Sequence, residues 1–524
     1  MASSLQPTAQ FTTTALSQSA VSFMGPAALQ EWRERSRVFV PGHEFTRLFK
    51  QGRWDGTWAP GRCRMRGPST YELRCSRGLA YRVLTGFGLQ GSIWDVLDAA
   101  QLADPPFSQE ALQQFIELCP RLAELRDYQQ AALFTALRCR WGRIALATNA
   151  GKGAIIALLA AWAAAHKFSV LICCDEIAVY DALLGELREW ADLAPALVRA
   201  GGKGLGPPGP GVTLAMIPTL ARRLSPGSDG EREEEAKEWA RWVGEQGMVI
   251  CDEADKATAA TWRLILDAAP SSLFRFGFSG TFPQSMSYED WQLEELLGPV
   301  LFSAKNMEMV ERGVSARPHV QLVGFDVTGV VGAPPTWDEW SGMSPPMRRL
   351  WVYEKAIMFN AMRHRFVASL IRPGTPTVIV INRIEHGTQL EMAIPGAVFV
   401  DGSASELARI KALEAFRRGE ILTLIVTRIL DRGTNRLGYA QDIIFASGEG
   451  SKRQTLQRVG RGLRRHEGKA DLRIVDLVDR LEVDDADTSH TARRLRKLAG
   501  YLHEAGRTRV QLYQDEGFEV EVSR

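Results

Sequence analysis

The feature that most constrains this chain is an alternation that runs through it twice. Short, continuously apolar runs are separated by stretches of helical period. The first series occupies about 122–302, with runs at 143–147, 170–174, 212–217, 248–251 and 274–278. The second occupies about 320–477, with runs at 377–381, 397–400, 422–426, 442–446 and 472–475. Runs of this kind are strands buried on both faces, and strand–helix alternation implies a mostly parallel sheet covered by helices. The predicted class is α/β, with two parallel-sheet lobes in tandem at 115–305 and 318–480. No obvious sequence repeat links the two.

The flanks read differently. Residues 1–30 are rich in Ser, Thr, Gln and Ala without a clear period, and are expected to be mobile. Residues 31–105 carry short alternating segments with many Gly and Arg, such as Tyr71-Glu-Leu-Arg-Cys75. They predict a small α+β domain closed by a helix near 93–102, and Asp104-Pro-Pro106 marks a linker. Residues 231–241 read as a solvated helical insert. The segment 485–524 reads as a basic helical extension (Arg493, Arg494, Arg496, Lys497) ending in a strand-like Val520-Glu-Val522.

Bulk properties mainly exclude. A formal net charge of +2 over 524 residues does not announce a nucleic-acid binder, so any basic surface must be local. The 7 cysteines are odd in number and none forms a CxxC pair, which argues against a disulfide framework or a cysteine metal site. Cys173, Cys174 and Cys251 lie in apolar runs and read as core residues of a protein in a reducing cytoplasm. No basic segment followed by a long apolar stretch opens the chain. The longest apolar run, 154–165, is too short for a bilayer, which needs about 20 residues.

Several strand ends carry groups suited to one chemistry. Ala147-Thr-Asn-Ala-Gly-Lys-Gly153 follows a strand and opens an apolar helix. Backbone N–H groups at a helix start, with the helix dipole behind them, favour phosphate, and Lys152 would reach its outer oxygens. Thr148, Asn149, Ala150, Gly151 and Gly153 would form the cradle. The match is partial, because the usual first glycine is missing and Gly153 replaces a magnesium-binding Ser or Thr. A plain strand-turn-helix fits these residues equally well. Met248-Val-Ile-Cys-Asp-Glu-Ala-Asp255 is an apolar strand ending in acids. Asp252 would hold magnesium, and Glu253 would orient and deprotonate the attacking water. A decoy, Val170-Leu-Ile-Cys-Cys-Asp-Glu176, comes too early; Asp175 and Glu176 read as strand-end or helix-capping acids.

Ser279, Gly280 and Thr281 end the next strand, where a plain polar turn and an element coupling the phosphate site to movement are both admissible. Gln454-Thr-Leu-Gln-Arg-Val-Gly-Arg-Gly-Leu-Arg-Arg465 sets Gln457, Arg461 and Arg464 on one helix face. Guanidinium forks suit phosphate, although a solvated basic helix has the same spacing. Gln129, in Arg126-Asp-Tyr-Gln129, precedes the lysine loop by one helix, where adenine contact is expected. Thr427 and Arg432-Gly433-Thr-Asn435 follow a strand of the second series. Each segment alone is weak; their order along the chain carries the reading.

Together these segments resemble the motifs of superfamily 2 helicases, and in finer detail the phage UvsW-type helicases. The finer likeness rests on Thr148–Gly153, on Phe276-Gly-Phe-Ser-Gly-Thr281, on Ala446–Lys452 leading into Leu456–Arg464, and on Gly52-Arg-Trp-Asp-Gly56. It spans about 45–477. It implies two RecA-like lobes, ATP and Mg2+ as cofactors, and DNA unwinding and branch migration at forks, Holliday junctions and R-loops, in a bacterial host's cytoplasm if the gene is a phage's. It further implies ATP between the lobes, with Lys152, Asp252 and Glu253 on one wall and Arg461 and Arg464 on the other. Candidate nucleic-acid contacts are Arg53 and Trp54 in the small domain and Gly202, Thr219, Arg383, His386 and Thr427 in the lobes. Trp54 reads equally as a packed residue, and Asp55 as the residue that holds its turn. Departures are Gly153, Asn435 in place of an acid, and Asp175-Glu176 in place of a Pro-Thr. A double-strand translocase, an RNA helicase and a non-hydrolysing scaffold remain open, and no membrane or protein partner is indicated.

Overall fold

The N-terminal stretch holds more structure than its composition suggests. Strands β1 (Phe11–Thr13) and β2 (Ser19–Met24) pair antiparallel. After the helix Pro26–Ser36 come β3 (Val38–Phe39) and β4 (Thr57–Trp58), which form a two-stranded ribbon. Strands β5 (Arg62–Gly67) and β6 (Thr70–Ser76) complete a four-stranded sheet in the order β1-β2-β6-β5. For the described part of 1–30 the expectation of mobility is corrected: β2 lies along β6, from Ser19 opposite Ser76 to Met24 opposite Tyr71. Its Ser-rich sequence has no clear period, and its partner comes far later in the chain. The computed structural model describes residues 11–13, 19–24, 26–58, 62–67, 70–79, 115–117, 119–200, 206–227, 230–270, 272–328, 335–401, 404–427, 438–447, 455, 459–460, 462–465, 469–484 and 486–523. The helix expected near 93–102 and the linker at 104–106 lie outside them.

Two units result, one of residues up to Leu146 with Gly151–Ala304, the other of Ala147–Ala150 with Lys305–Arg524. In the first, β7 (Trp141–Leu146), β8 (Val170–Cys174), β9 (Ala196–Val198), β10 (Val212–Met216), β11 (Met248–Asp252), β12 (Phe274–Ser279) and β13 (Val300–Ala304) form a parallel sheet. Its order is β13-β7-β12-β11-β8-β10-β9. Every residue of β8, β11 and β12 is buried, as continuous apolar runs require. Cys173, Cys174 and Cys251 are core residues whose thiols burial pushes far above their usual range. The helix Gly230–Gly244 is only half the solvated insert expected. Its glutamates face water, but Ala236, Trp239, Trp242 and Val243 are buried in the core.

The N-terminal sheet region and this lobe are one unit. Trp32 meets Trp291 edge-on at 6.1 Å, and Trp58 meets Tyr288 at 5.8 Å. A Cβ at Gly78 would lie 2.0 Å from the Glu294 carbonyl oxygen, so only glycine permits this approach. All three contacts fall on the helix Tyr288–Leu297. That helix is anchored to β7 by the buried Arg143, which pairs with Asp290 at 2.8 Å and Glu294 at 3.3 Å.

In the second unit, β14 (Arg317–Asp326), β15 (Thr377–Val380), β16 (Ala397–Val400), β17 (Thr423–Val426), β18 (Asp442–Phe445), β19 (Asp471–Arg480) and β20 (Glu519–Ser523) form another parallel sheet. Its order is β16-β17-β15-β18-β19-β14-β20. The predicted C-terminal extension is no appendage. The helix His490–Asp515 packs back so that β20 runs beside β14, with Glu519 opposite His319. Buried Arg509 fastens the helix by donating from Nε to both Asp476 oxygens at 2.9 Å. The chain thus forms two RecA-like parallel-sheet lobes in tandem.

Candidate nucleotide site

The lysine loop turns where β7 ends. Asn149 and Gly151 both have φ of 77°, and Gly151 occupies the cap position of the helix Lys152–Ala165. No side chain caps that helix. Its first N–H groups therefore lack intrahelical partners and suit an anion. Gly151 is required for space as well as for φ, because a Cβ there would lie 2.2 Å from Gln129 Nε2. Gln129 is 4% exposed; its Oε1 accepts from Arg126 N at 2.9 Å and its Nε2 donates to the Gly151 carbonyl at 3.4 Å. Here the expected adenine-contacting glutamine braces the loop. Gly153 also has a local reason: a Cβ there would lie 2.7 Å from Glu186 Cγ.

The acids of β11 meet this loop. Lys152 Nζ lies 3.7 Å from Glu253 Oε1. Asp252 is 6% exposed and its Oδ1 accepts from Glu253 N at 3.0 Å. Burial pushes the Asp252 carboxyl up to about 6; Lys152 opposes the rise, and the charges of Glu253 and Asp175 add to it. An ionised Asp252 thus sits in excess negative potential, a place that favours a cation. Among the described residues no group of three or more His, Cys, Asp or Glu gathers to hold a metal. Magnesium takes one or two carboxylates and completes its shell with phosphate and water, and Asp252 would be such a carboxylate. Thr281 Oγ1 donates to Asp255 Oδ2 at 3.4 Å, and Ser279 Oγ accepts from Thr281 N at 3.1 Å. The Ser279-Gly280-Thr281 turn is thereby joined to the acidic segment.

Asp175 and Glu176 are strand-end acids, but neither caps. Glu176 stands at the cap of the helix Ile177–Ala191 and its side chain makes no cap bond. Both acids hold Lys256 Nζ, Asp175 at 2.9 Å and Glu176 at 2.8 Å. Sequence reasoning missed this lysine, although it directly follows the Asp-Glu-Ala-Asp run. Lys256 neutralises charge that otherwise bears on Asp252. Replacing it with methionine should raise the Asp252 carboxyl above about 6 in the protein free of nucleotide and metal. Carboxyl titration of both metal-free proteins by NMR from pH 5 to pH 8 tests this; coincident curves would show that Lys256 does not act on Asp252.

The second-lobe candidates divide. Arg461, Gln457 and Gly433, like Gly202 of the first lobe, lie outside the described residues. Arg464 is half-buried, and a backbone bridge joins its segment to Ser315. Arg383 is exposed at the start of the helix Ile384–Ala393. His386 is corrected: it is fully buried, its Nδ1 lies 3.1 Å from the Tyr353 hydroxyl, and it stacks near His364. Thr219 is also corrected, being 9% exposed on a helix that presses into the core. Thr427 ends β17 buried, and its hydroxyl has no partner among the described residues. In the small domain Arg53 is exposed, whereas Trp54 packs: its Nε1 donates to the Thr57 carbonyl at 2.8 Å and its ring meets His43 edge-on. Asp55 does hold the turn, accepting from Thr57 N at 3.0 Å and pairing with Arg37. No helix among the described residues is long and apolar enough to cross a membrane.

Comparison with known proteins agrees with this layout. Residues 122–284 match the family model for the type III restriction enzyme res subunit, and residues 362–466 that for the helicase conserved C-terminal domain. The ATP-dependent DNA helicase uvsW of Enterobacteria phage T4 is 23% identical over 518 residues, covering 94% of both chains. Rad25 of Haloarcula marismortui is 27% identical over 256 residues, covering 48% of this chain and 38% of its own. The Drosophila melanogaster factor IIH helicase/translocase subunit XPB is 25% identical over 380 residues, covering 67% and 43%. The chain therefore spans less than half of the latter two and nearly all of uvsW. An HsdR-subunit fragment of a type I restriction enzyme from Vibrio vulnificus shares the fold, at a TM-score of 0.50 and 16% identity over 73% of this chain and 69% of that one. With two parallel lobes, a lysine loop facing a strand-end Asp-Glu pair, and helicase models matched on both lobes, the chain belongs to the superfamily 2 helicases, ATP-hydrolysing enzymes, and is similar in sequence to the phage uvsW type.

Proposed function

We propose that this enzyme is an ATP-driven DNA helicase or translocase that acts on branched DNA: forks, Holliday junctions and R-loops. The observation that carries the reading is the 3.7 Å approach of Lys152 to Glu253 at an uncapped helix start, with Asp252 buried beside them. DNA as the track is supported by the relatives, since uvsW, Rad25 and XPB are each named as helicases. Branched substrates and work in recombination or replication restart, in the cytoplasm of a bacterial host, follow the likeness to the uvsW type.

The chain's own residues divide the work. The helix start and Lys152 bind and orient the phosphates. Glu253 accepts the proton of the attacking water as the terminal phosphate departs. Arg461 and Arg464 neutralise the charge that develops. Asp252 would hold magnesium, which when bound screens the phosphate charge. Ser279 to Thr281, tied to Asp255, passes the state of the site onward. Gly153 brings no hydroxyl, so Asp252 would be the chain's main oxygen ligand. In the small domain Arg47, Lys50, Arg53 and Arg64 are exposed, local positive charge suited to a DNA backbone.

Hydrolysis should be measured without DNA and with single strands, blunt duplex, forks and four-way junctions. Branched DNA is expected to stimulate most, and Lys152→Ala should abolish the response. Equal stimulation by blunt duplex would favour a double-strand translocase. Stimulation by RNA alone, or tight DNA binding with no hydrolysis, would overturn the proposal.

A further inference from the structure

Lys469 is a buried amine that meets no carboxylate among the described residues. It is 6% exposed, and its Nζ donates to the carbonyl of Gly438 at 2.7 Å and to that of Gly462. Those two carbonyls belong to different working segments. In sequence Gly438 follows the segment that holds Gly433, and it lies just ahead of β18. Gly462 lies between Arg461 and Arg464. The turn at Gly462 is pressed onto the sheet, because a Cβ there would lie 2.4 Å from Ile443 Cδ1 and 3.1 Å from Leu472 Cδ2. On its other side, Ala316 N donates to the Leu463 carbonyl at 2.8 Å, and Ser315 bridges Arg464. The arginine-bearing turn is therefore held by packing beneath, by the 315–316 backbone on one flank and by Lys469 on the other.

A lysine here answers a specific need. Carbonyls at the end of a helical turn lack intrahelical donors, and leaving them dry is costly. An apolar side chain of the same length would fill the space and satisfy neither. A neutral amine has two N–H groups, which equals the number of carbonyls it meets. Burial pushes the Lys469 amine down to about 7, so near neutrality much of it is in that form. Beside it a groove of about 880 Å³ is lined by the charged or titratable His319, Arg372, Asp471, Arg473, Glu519 and Glu521. These engage one another or the sheet: Arg372 and Arg473 pair with Asp442, and His319 with Asp471.

We propose that Lys469 is a positioning residue for ATP hydrolysis: by tying Gly438 to Gly462 it sets where Arg464 is presented. This rests on the reading above that Arg464 acts on the phosphate. The full chain should be compared with Lys469→Met, Lys469→Gln, Arg464→Ala and Leu502→Ala, the last a core truncation on the C-terminal helix. The readouts are kcat and KM for ATP at saturating DNA, and Tm.

Lys469→Met is expected to lower kcat ~10-fold with KM within about twofold, a small misplacement of catalytic groups being worth up to ~10²-fold. Lys469→Gln, which keeps an N–H pair, should recover part of the loss. Leu502→Ala should lower Tm at least as much as Lys469→Met and leave kcat unchanged. A kcat for Lys469→Met within twofold of the parent, while Arg464→Ala falls sharply, would overturn the inference alone. An undiminished Arg464→Ala would overturn the role of Arg464 and the inference with it. Equal kcat losses in Lys469→Met and Leu502→Ala would reduce Lys469 to a stability residue.

Discussion

Replacing Glu253 with glutamine should lower kcat for ATP hydrolysis by ~10²- to 10⁴-fold, the usual contribution of a positioned general base. ATP affinity should hold or rise. The amide keeps the size and hydrogen-bonding reach of the acid but cannot take a proton. It also removes a negative charge from beside the phosphates, and like charges a few ångströms apart repel. Local geometry makes the position sensitive. Glu253 leaves β11 with a left-handed φ of 54°, its carboxylate lies 3.7 Å from Lys152 Nζ, and its N–H is held by Asp252 at 3.0 Å. Single-turnover hydrolysis and nucleotide-binding titrations on the same preparation separate the two effects. A kcat within tenfold of the parent would mean that another group activates the water.

Arg509→Met should destabilise the second lobe by ~3–5 kcal/mol, the cost of breaking a buried ion pair by removing one partner. Arg509 Nε meets both Asp476 oxygens at 2.9 Å, and its Nη2 donates to the Leu477 carbonyl at 2.8 Å. The Tyr513 hydroxyl donates to Asp476 at 2.9 Å. Methionine would leave Asp476 charged, dry and held by Tyr513 alone. Burial already raises the Asp476 carboxyl above its usual range even with Arg509 opposing it. A carboxyl whose folded pKa lies above its unfolded value is most costly at high pH and is relieved as pH falls and it protonates. The loss in Arg509→Met should therefore shrink on acidification. Urea unfolding of both proteins at pH 8 and at pH 5.5 measures it. A loss below 1 kcal/mol would show the C-terminal helix to be a loose attachment.

Much of the candidate site was legible because it is local in the chain. Each motif is a strand end followed by a polar or glycine turn, and such patterns need only neighbouring residues. The loop at Lys152, the acids at Asp252 and Glu253, and the turn at Ser279 are all of this kind. The apolar runs announced most of the strands for the same reason, since a strand buried on both faces cannot hide its composition. The short edge strands β9 and β13 escaped because an edge needs no such run; of β13 only Ala304 is buried.

Other features were decided only when distant segments met. Lys256 carries no sign in its own neighbourhood that it will neutralise Asp175 and Glu176, about eighty positions earlier. His386 looks like an available turn residue until Tyr353 and His364 close over it. β2 has no period of its own and becomes a strand by pairing with β6, and β20 joins the second sheet beside β14 only because Arg509 anchors its helix to β19. By itself, then, the sequence determined the strand–helix alternation, the order of the strand-end motifs and the chemistry they carry. The tertiary structure decided which charges are paired, which polar residues are buried and which edges are extended. The reason is physical: strand and turn preferences are set by neighbours along the chain, whereas ion pairing, desolvation and sheet edges depend on partners that only folding brings within a few ångströms.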